Sequence, residues 1–405
     1  MKTGISIRLA WLSGAALSFN LLGCGADAPA PDATDDADLS AEGKDDAWNT
    51  ANNPLRVDRT FKVKVAELPL SGSANVHPWA GDYWATARNS INVRWDGNND
   101  SPAAKAAKAF GLPRFPEWVT NNVGIYAQDR PSCAADSDCT GDDGSICATP
   151  DGATGAKPGR CIPTWWGICH GWAPAAVMEP TAKKSVTVNG VTFYPGDIQA
   201  LASFAYQDEV PTKFISERCD AEGRTLHTDN SGRVRESECR DMNAGTVMVV
   251  LGNMLGLRKQ GIVEDRTYDD QVWNQPIQGY EVTNGVGGKL KQVTKAEAIR
   301  LVGGTSSSYT WNTKAKKFFH VELSLRWITE AAPGRRATNN ASYVRTDRYA
   351  FVLEADATGN AIGGEYIGAS KKAHPDFMWW PTGTPTSTQG GLTYRMVKQL
   401  IDAAK

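Results

Sequence analysis

The sequence predicts an α+β fold in which a central helix packs on an antiparallel sheet, and three observations predict it. An alanine-rich helical stretch, Ala173 to Met178, follows a Pro/Trp/Gly turn and is led by Cys169. Downstream, Phe319, Val321, Leu323, Leu325 and Trp327 alternate strictly with other residues, the period of a half-buried strand. The chain has 405 residues, 41% of them hydrophobic, which is enough for a large core. Its formal net charge is −2 and it has no long Lys/Arg run, so it lacks the electrostatic footprint of a nucleic-acid binder.

Residues 1–23 read as an export signal, with Lys2 and Arg8 ahead of an apolar run from Leu9 to Leu22. That run is too short for a spanning helix, which needs roughly 20 apolar residues. Leu21-Leu22-Gly23-Cys24 resembles the bacterial lipoprotein box, which makes Cys24 the expected lipid-attachment site of an exported, membrane-anchored chain. Residues 24–55 are rich in Ala, Asp, Pro, Ser and Gly and read as a flexible tether, leaving 56–405 as the folded domain.

Within that domain, Phe61–Val65 alternates like a strand and Ala103–Phe110 reads as a short helix. Ser185–Phe193 is a hairpin around Asn189-Gly190. Pro195-Gly196-Asp197 opens a helix reaching about Tyr206, and Met242 to about Leu257 has helical spacing behind Asp241 as its cap. Strands follow from Phe318 onward. A helix led by a cysteine, then strands carrying a histidine, is the order of the papain-like and transglutaminase-like fold.

Eight cysteines stand at 24, 133, 139, 147, 161, 169, 219 and 239. Exported chains meet an oxidising compartment, so bridges are expected. The stretch 133–161 reads as a small disulfide knot whose four cysteines allow three connectivities. Zinc or calcium are competing readings of that stretch, although no close C-x-x-C pair or neighbouring histidine supports zinc. Cys219 and Cys239 bracket a polar loop and pair naturally with each other. With Cys24 taken by lipid, Cys169 is left over as a free thiol.

A helix N-terminus favours the thiolate, through its dipole and unsatisfied N–H groups, and the Cys169 N–H can serve an oxyanion hole. Of the five histidines, His320 opens an alternating strand on the face of Glu322 and Ser324, and is the expected base. His170 points about 100° round the helix from Cys169 and is expected to shape the pocket. An antiparallel pair of 320–328 and 348–356 would set Asp356 opposite His320 as its orienter, with Asp376 as second choice. Trp165 and Trp166 are placed to bind substrate and shield the site from water.

At these residues a family becomes recognisable. Trp166-Gly-Ile-Cys169-His-Gly-Trp172-Ala-Pro-Ala175 resembles the active-site signature of the oomycete-type transglutaminase elicitor family, which has bacterial members. Val272-Trp-Asn-Gln-Pro-Ile-Gln-Gly-Tyr280 is similar to that family's surface-exposed elicitor peptide, with Gln278 in place of a basic residue. Cys239–Asn243, Gly363–Tyr366 and His374–Trp379 are similar too, so the resemblance spans roughly 60–385, with the cysteine knot as an insertion.

The resemblance implies a protein-glutamine γ-glutamyltransferase. Cys169 would form a thioester with a glutamine side chain of one protein and pass the acyl group to a lysine of another. No cofactor or metal is implied, and the expected partners are proteins with accessible Gln and Lys. A cysteine peptidase or a glutamine deamidase would use the same residues, and a non-catalytic surface recognition protein is the reading from a different class.

Overall fold

The computed structural model describes residues 51–97, 99–141, 144–150, 158–218, 241–266 and 271–405, with His227 and Glu236 as isolated positions. The signal segment, the Cys24 lipid site, most of the tether and the Cys219–Cys239 pairing lie outside the described residues.

Nine strands form one curled antiparallel sheet: β1 (Ser71–Ser73), β2 (Thr212–Ile215), β3 (Val263–Asp265), β4 (Asn274–Val282), β5 (Lys291–Val293), β6 (Lys317–Ile328), β7 (Val344–Ala355), β8 (Ala361–Tyr366) and β9 (Phe377–Pro381). The main path runs β8-β7-β6-β4-β3-β9-β2, with β1 paired to β4 and β5 to β6. The helices used below are α1 (Pro102–Phe110), α2 (Phe115–Asn122), α3 (Cys169–Met178), α4 (Pro195–Tyr206), α5 (Ala244–Leu251), α6 (Lys295–Leu301) and α7 (Tyr394–Ala404).

Both faces of the sheet are covered, and β9 shows why its sequence is continuously apolar. Successive side chains point to opposite faces. Phe377 and Trp379 therefore enter the core beneath α3, α4 and α7, while Met378 and Trp380 enter the core around α5. Every residue of α4 and of α5 is buried. Helices α3 and α4 approach closely because α3 carries alanines and Gly171, where a Cβ would stand 2.2 Å from the Ser203 carbonyl oxygen.

The expected hairpin forms with Asn189 at φ 48° and Gly190 at φ 77°, the two left-handed residues that a type I′ turn needs. Helix α5 is shorter than its apolar spacing suggests. Its cap is Asn243, whose side chain accepts from the Gly245 N–H, and not Asp241; beyond Leu251 the coil widens into a π-helical turn, Gly252–Arg258. Phe61–Val65 forms no strand: it makes one bridge, Lys64 to Asn360, and Phe61 plugs the core beside Trp380 with ring centres 5.9 Å apart.

The cysteine knot is a three-stranded ribbon of Ser132–Cys133, Ser145–Ala148 and Gly159–Pro163. Its bridges are Cys133–Cys147 and Cys139–Cys161. The sulfurs of Cys133, Cys139 and Cys161 cluster closely enough to suggest an ion site, but each is already covalently engaged.

Candidate active site

Cys169 is the first residue of α3, fully buried where the helix meets β4, β3 and β9. The residue before it, Ile168, offers no side-chain cap, so the first N–H groups of the helix are not satisfied by a capping side chain. The approach is held by a neighbouring loop. The Ile168 N–H donates to the Tyr83 carbonyl at 2.7 Å, and the Thr86 N–H to the Trp166 carbonyl at 2.8 Å. Gly167 has to be glycine there, since a Cβ would stand 2.5 Å from the Tyr83 carbonyl oxygen.

Two groups among the described residues reach the Cys169 sulfur. The Asn274 amide nitrogen lies 3.5 Å away and the Val272 carbonyl oxygen 3.8 Å away. The amide is held in one orientation because its oxygen accepts from Trp379 Nε1 at 2.7 Å. Asp265 stands directly across the ladder from Asn274, and so shares its face. One Asp265 carboxylate oxygen accepts from the Trp273 N–H at 3.1 Å. Asp265 and Asn274 are both buried, at 0% and 1% exposure.

Cys169 is not the free thiol that the cysteine count suggests. It is disulfide-bonded, with its partner outside the described residues. The expectation of a free thiol rested on elimination, with Cys24 given to lipid and Cys219 to Cys239, and a cysteine count carries no information on which sulfurs meet in space.

The register also separates the expected triad. His320 pairs with Val352, not Asp356, and lies three residues beyond Leu323, which pairs with Val282 at the end of β4. Asn274 begins β4, so His320 is separated from the cysteine end by the whole strand, about 30 Å or more at ~3.3 Å per residue. Asp356, past the end of β7, is farther still and is occupied in its own turn, accepting from Thr358, Gly359 and Asn360. The alternation that placed His320 opposite the apolar set was correct; the assumed hairpin register was off by four residues.

The other histidines sit as follows. His170 is 5% exposed with neither ring nitrogen hydrogen-bonded in the described residues, and burial pushes its pKa down to about 4. It is thus a buried neutral ring, not a pocket-lining contact. His374 stacks on Tyr366 at 4.1 Å and pairs with Asp241 at 3.1 Å on the α5 side of the sheet. His227 is exposed beside Glu236, and His77 is exposed. The alternative orienter, Asp376, is fully buried at the cysteine end, its N–H donating to the Asp265 carbonyl at 3.0 Å.

Trp165 and Trp166 are half-buried and meet edge to face at 6.3 Å, with the Arg130 guanidinium 5.1 Å over Trp166. Tyr83 and Trp273 form a second edge-to-face pair at 5.6 Å. These rings flank the turn that delivers Cys169 and the strand that delivers Asn274.

The family model described as Transglutaminase elicitor matches residues 56–405. The chain belongs to the transglutaminase elicitor family. The crystal structure of the GP42 transglutaminase from Phytophthora sojae is similar: it is 34% identical and superposes with a TM-score of 0.71, covering 85% of this chain and 94% of that one. No curated protein matches the chain.

Sequence reasoning missed the roles of Asn274 and Trp379, which lie within the family's signature blocks, and of Asp265, which lies outside them. The signal was present: Asn274 lies in the block read as a surface peptide. The structure puts that block in the middle of the sheet instead, with Val272 and residues 274–277 buried and only Trp273 and Gln278 partly exposed.

Proposed function

We propose that the chain is a protein-glutamine γ-glutamyltransferase whose nucleophile is Cys169 in its reduced form. The observation that carries this reading is the oriented Asn274 amide at the sulfur of a helix-start cysteine, with the buried Asp265 directly across the ladder from Asn274, in a member of the transglutaminase elicitor family.

The helix terminus and the Asn274 N–H favour the thiolate. The thiolate attacks the carboxamide carbon of a protein glutamine, and the Cys169 N–H receives the developing oxyanion. Asp265 takes up the proton that the thiol gives up and returns it to the departing nitrogen, so ammonia leaves and a thioester remains. A lysine amine then attacks the thioester, Asp265 accepts its proton, and the thiolate leaves, completing an isopeptide bond. The thioester divides one hard amide exchange into two easier steps. The rim of Trp165, Trp166, Tyr83 and Trp273 is the surface on which protein substrates dock and from which water is excluded. Two disulfides in the knot suit an oxidising compartment, in keeping with export and lipid attachment at Cys24.

The test is incorporation of a fluorescent primary amine into a glutamine-rich protein by the reduced chain, compared with Cys169→Ala. Amine incorporation that the variant lacks supports the transferase. Ammonia release without incorporation identifies a deamidase, backbone cleavage a peptidase, and a reduced protein that modifies nothing a recognition module.

A further inference from the structure

We infer that the open middle of the sheet, where Arg326 and Arg348 stand side by side, docks an acidic segment of the glutamine-bearing substrate. The inference rests on the transferase reading and names what that site selects.

Strand β6 turns Phe318, Glu322, Ser324, Arg326 and Ile328 to one face, the face on which α3 lies. At one end of it Ile328 enters the core beneath α3, α4 and α7, and at the other Phe318 enters the core under α6. Between these two covers the face is open: Glu322 is exposed, and Ser324 and Arg326 are only partly buried. Neighbouring strands continue this shelf in register. Gly279 and Ser73 lie in line with Arg326, while Glu281 and Arg348 lie in line with Ser324.

Two features fit the arginines to a carboxylate. Neither guanidinium has an ion pair or hydrogen bond among the described residues. Arg88, Arg258, Arg266 and Arg335, by contrast, are each held by an aspartate. Arg326 is also laid down in advance, because a Cβ on Gly279 would stand 3.0 Å from its Nη2. The glycine leaves the guanidinium room against β4, so part of its rotamer entropy is already spent. Arg348, its diagonal neighbour on β7, is within reach of the same ligand.

A guanidinium fork grips a carboxylate through two parallel N–H donors. Glu281 and Glu322 are exposed on the same shelf and repel a dense polyanion. A polypeptide with one well-placed carboxylate suits the shelf. The lysine-bearing acceptor brings positive charge toward the arginines, so the glutamine donor is the substrate that fits. Distance sets the spacing. Gly279, beside Arg326, and Asn274, at the Cys169 sulfur, lie on the same strand, about 16 Å apart at ~3.3 Å per residue. An extended substrate meets Arg326 when about five residues separate its carboxylate from the reactive glutamine.

The experiment uses the reduced full chain and peptides with one glutamine, carrying glutamate or serine about five residues to either side. Incorporation of a fluorescent amine gives kcat/KM, and fluorescence polarisation of labelled peptides on the Cys169→Ala chain gives binding. The glutamate peptide should be used about tenfold better, through KM, and about 0.5 M salt should remove most of that gap. Arg326→Ala should cut use of the glutamate peptide about fivefold and leave the serine peptide unchanged, with Arg348→Ala giving a smaller selective loss. Arg326→Glu should turn the preference toward a peptide with arginine at that position, a reversal that loss of folding could not produce. A glutamate preference that survives in the double alanine variant overturns the inference, as do equal losses on both peptides. Full amine incorporation without charge preference removes the shelf and leaves the transferase. Charge-selective binding without incorporation leaves the shelf and removes the transferase.

Discussion

The Asn274 amide nitrogen stands 3.5 Å from the Cys169 sulfur, and the ring nitrogen of Trp379, 2.7 Å from the amide oxygen, fixes which end of the amide faces it. With its oxygen committed to the indole, the amide can only donate toward the sulfur. Asn274→Ala and Asn274→Asp should each slow iodoacetamide labelling of reduced Cys169 at pH 6 by about tenfold, Asp at least as strongly because it adds a negative charge. Trp379→Phe should give a smaller loss, since the amide remains but can rotate. Equal labelling rates in all four proteins would remove Asn274 from the site.

Mutations should separate the two ends of the sheet. Asp265→Asn should lower amine incorporation by roughly 10²–10⁴-fold, the usual scale for losing a proton-transfer group. His320→Ala and Asp356→Asn should stay within a few-fold of wild type, because both residues lie beyond the far end of β4. A collapse of activity in His320→Ala with a normal melting curve would contradict this assignment.

His170 predicts an acid limit to stability. Its folded pKa is about 4, lowered by burial, against 6.5 when unfolded. The unfolded chain therefore binds the proton first, and stability present above pH 6.5 falls as the pH drops toward about 4, by at most about 3 kcal/mol. Melting temperatures of wild type and His170→Gln measured between pH 7.5 and 4.5 test it: the variant's curve should be the flatter one. Parallel curves would mean that the ring gains a partner on acidification.

Glu264 predicts the opposite slope. It neighbours Asp265 on β3 but points to the other face, fully buried, and burial raises its pKa well above the ordinary carboxyl value, with Asp347 adding to the effect. A raised folded pKa contributes stability below pH 4.5 that is lost as the pH climbs toward the folded value. Glu264→Gln should therefore melt higher than wild type at pH 8, with the difference shrinking at pH 5. A variant that melts lower at pH 8 would show the carboxylate to be paired in its charged state.

Much of this fold was legible because it rests on local signals. The Asn189-Gly190 turn, the α4 start at Pro195 and the alternation of β6 are each decided within a few residues, and they came out as read. Cys169 at a helix start was legible for the same reason. What failed needed long-range information. The pairing of His320 with Val352 depends on where β7 begins, and the turn connecting it to β6 left that open. The partnership of Cys169 with Asn274 joins residues 105 positions apart, which no spacing rule reaches. Asn274 also sits in a segment whose Trp, Asn, Gln and Pro look like loop residues, and burial by two covering layers, not composition, makes it a strand.

The ribbon ahead of the nucleophile has a consequence for proteolysis. Its two bridges interleave, joining 133 to 147 and 139 to 161. A cut at any single bond between Cys133 and Cys161 is spanned by at least one of them, so both fragments stay attached. A chain nicked there would run as one band on a gel without reductant and as two with it. The Arg130 side chain, bonded to the Cys161 carbonyl and laid over Trp166, would still tie the cut ribbon to the turn that presents Cys169. The stretch can thus lose its continuity as a thread and keep its place as a brace.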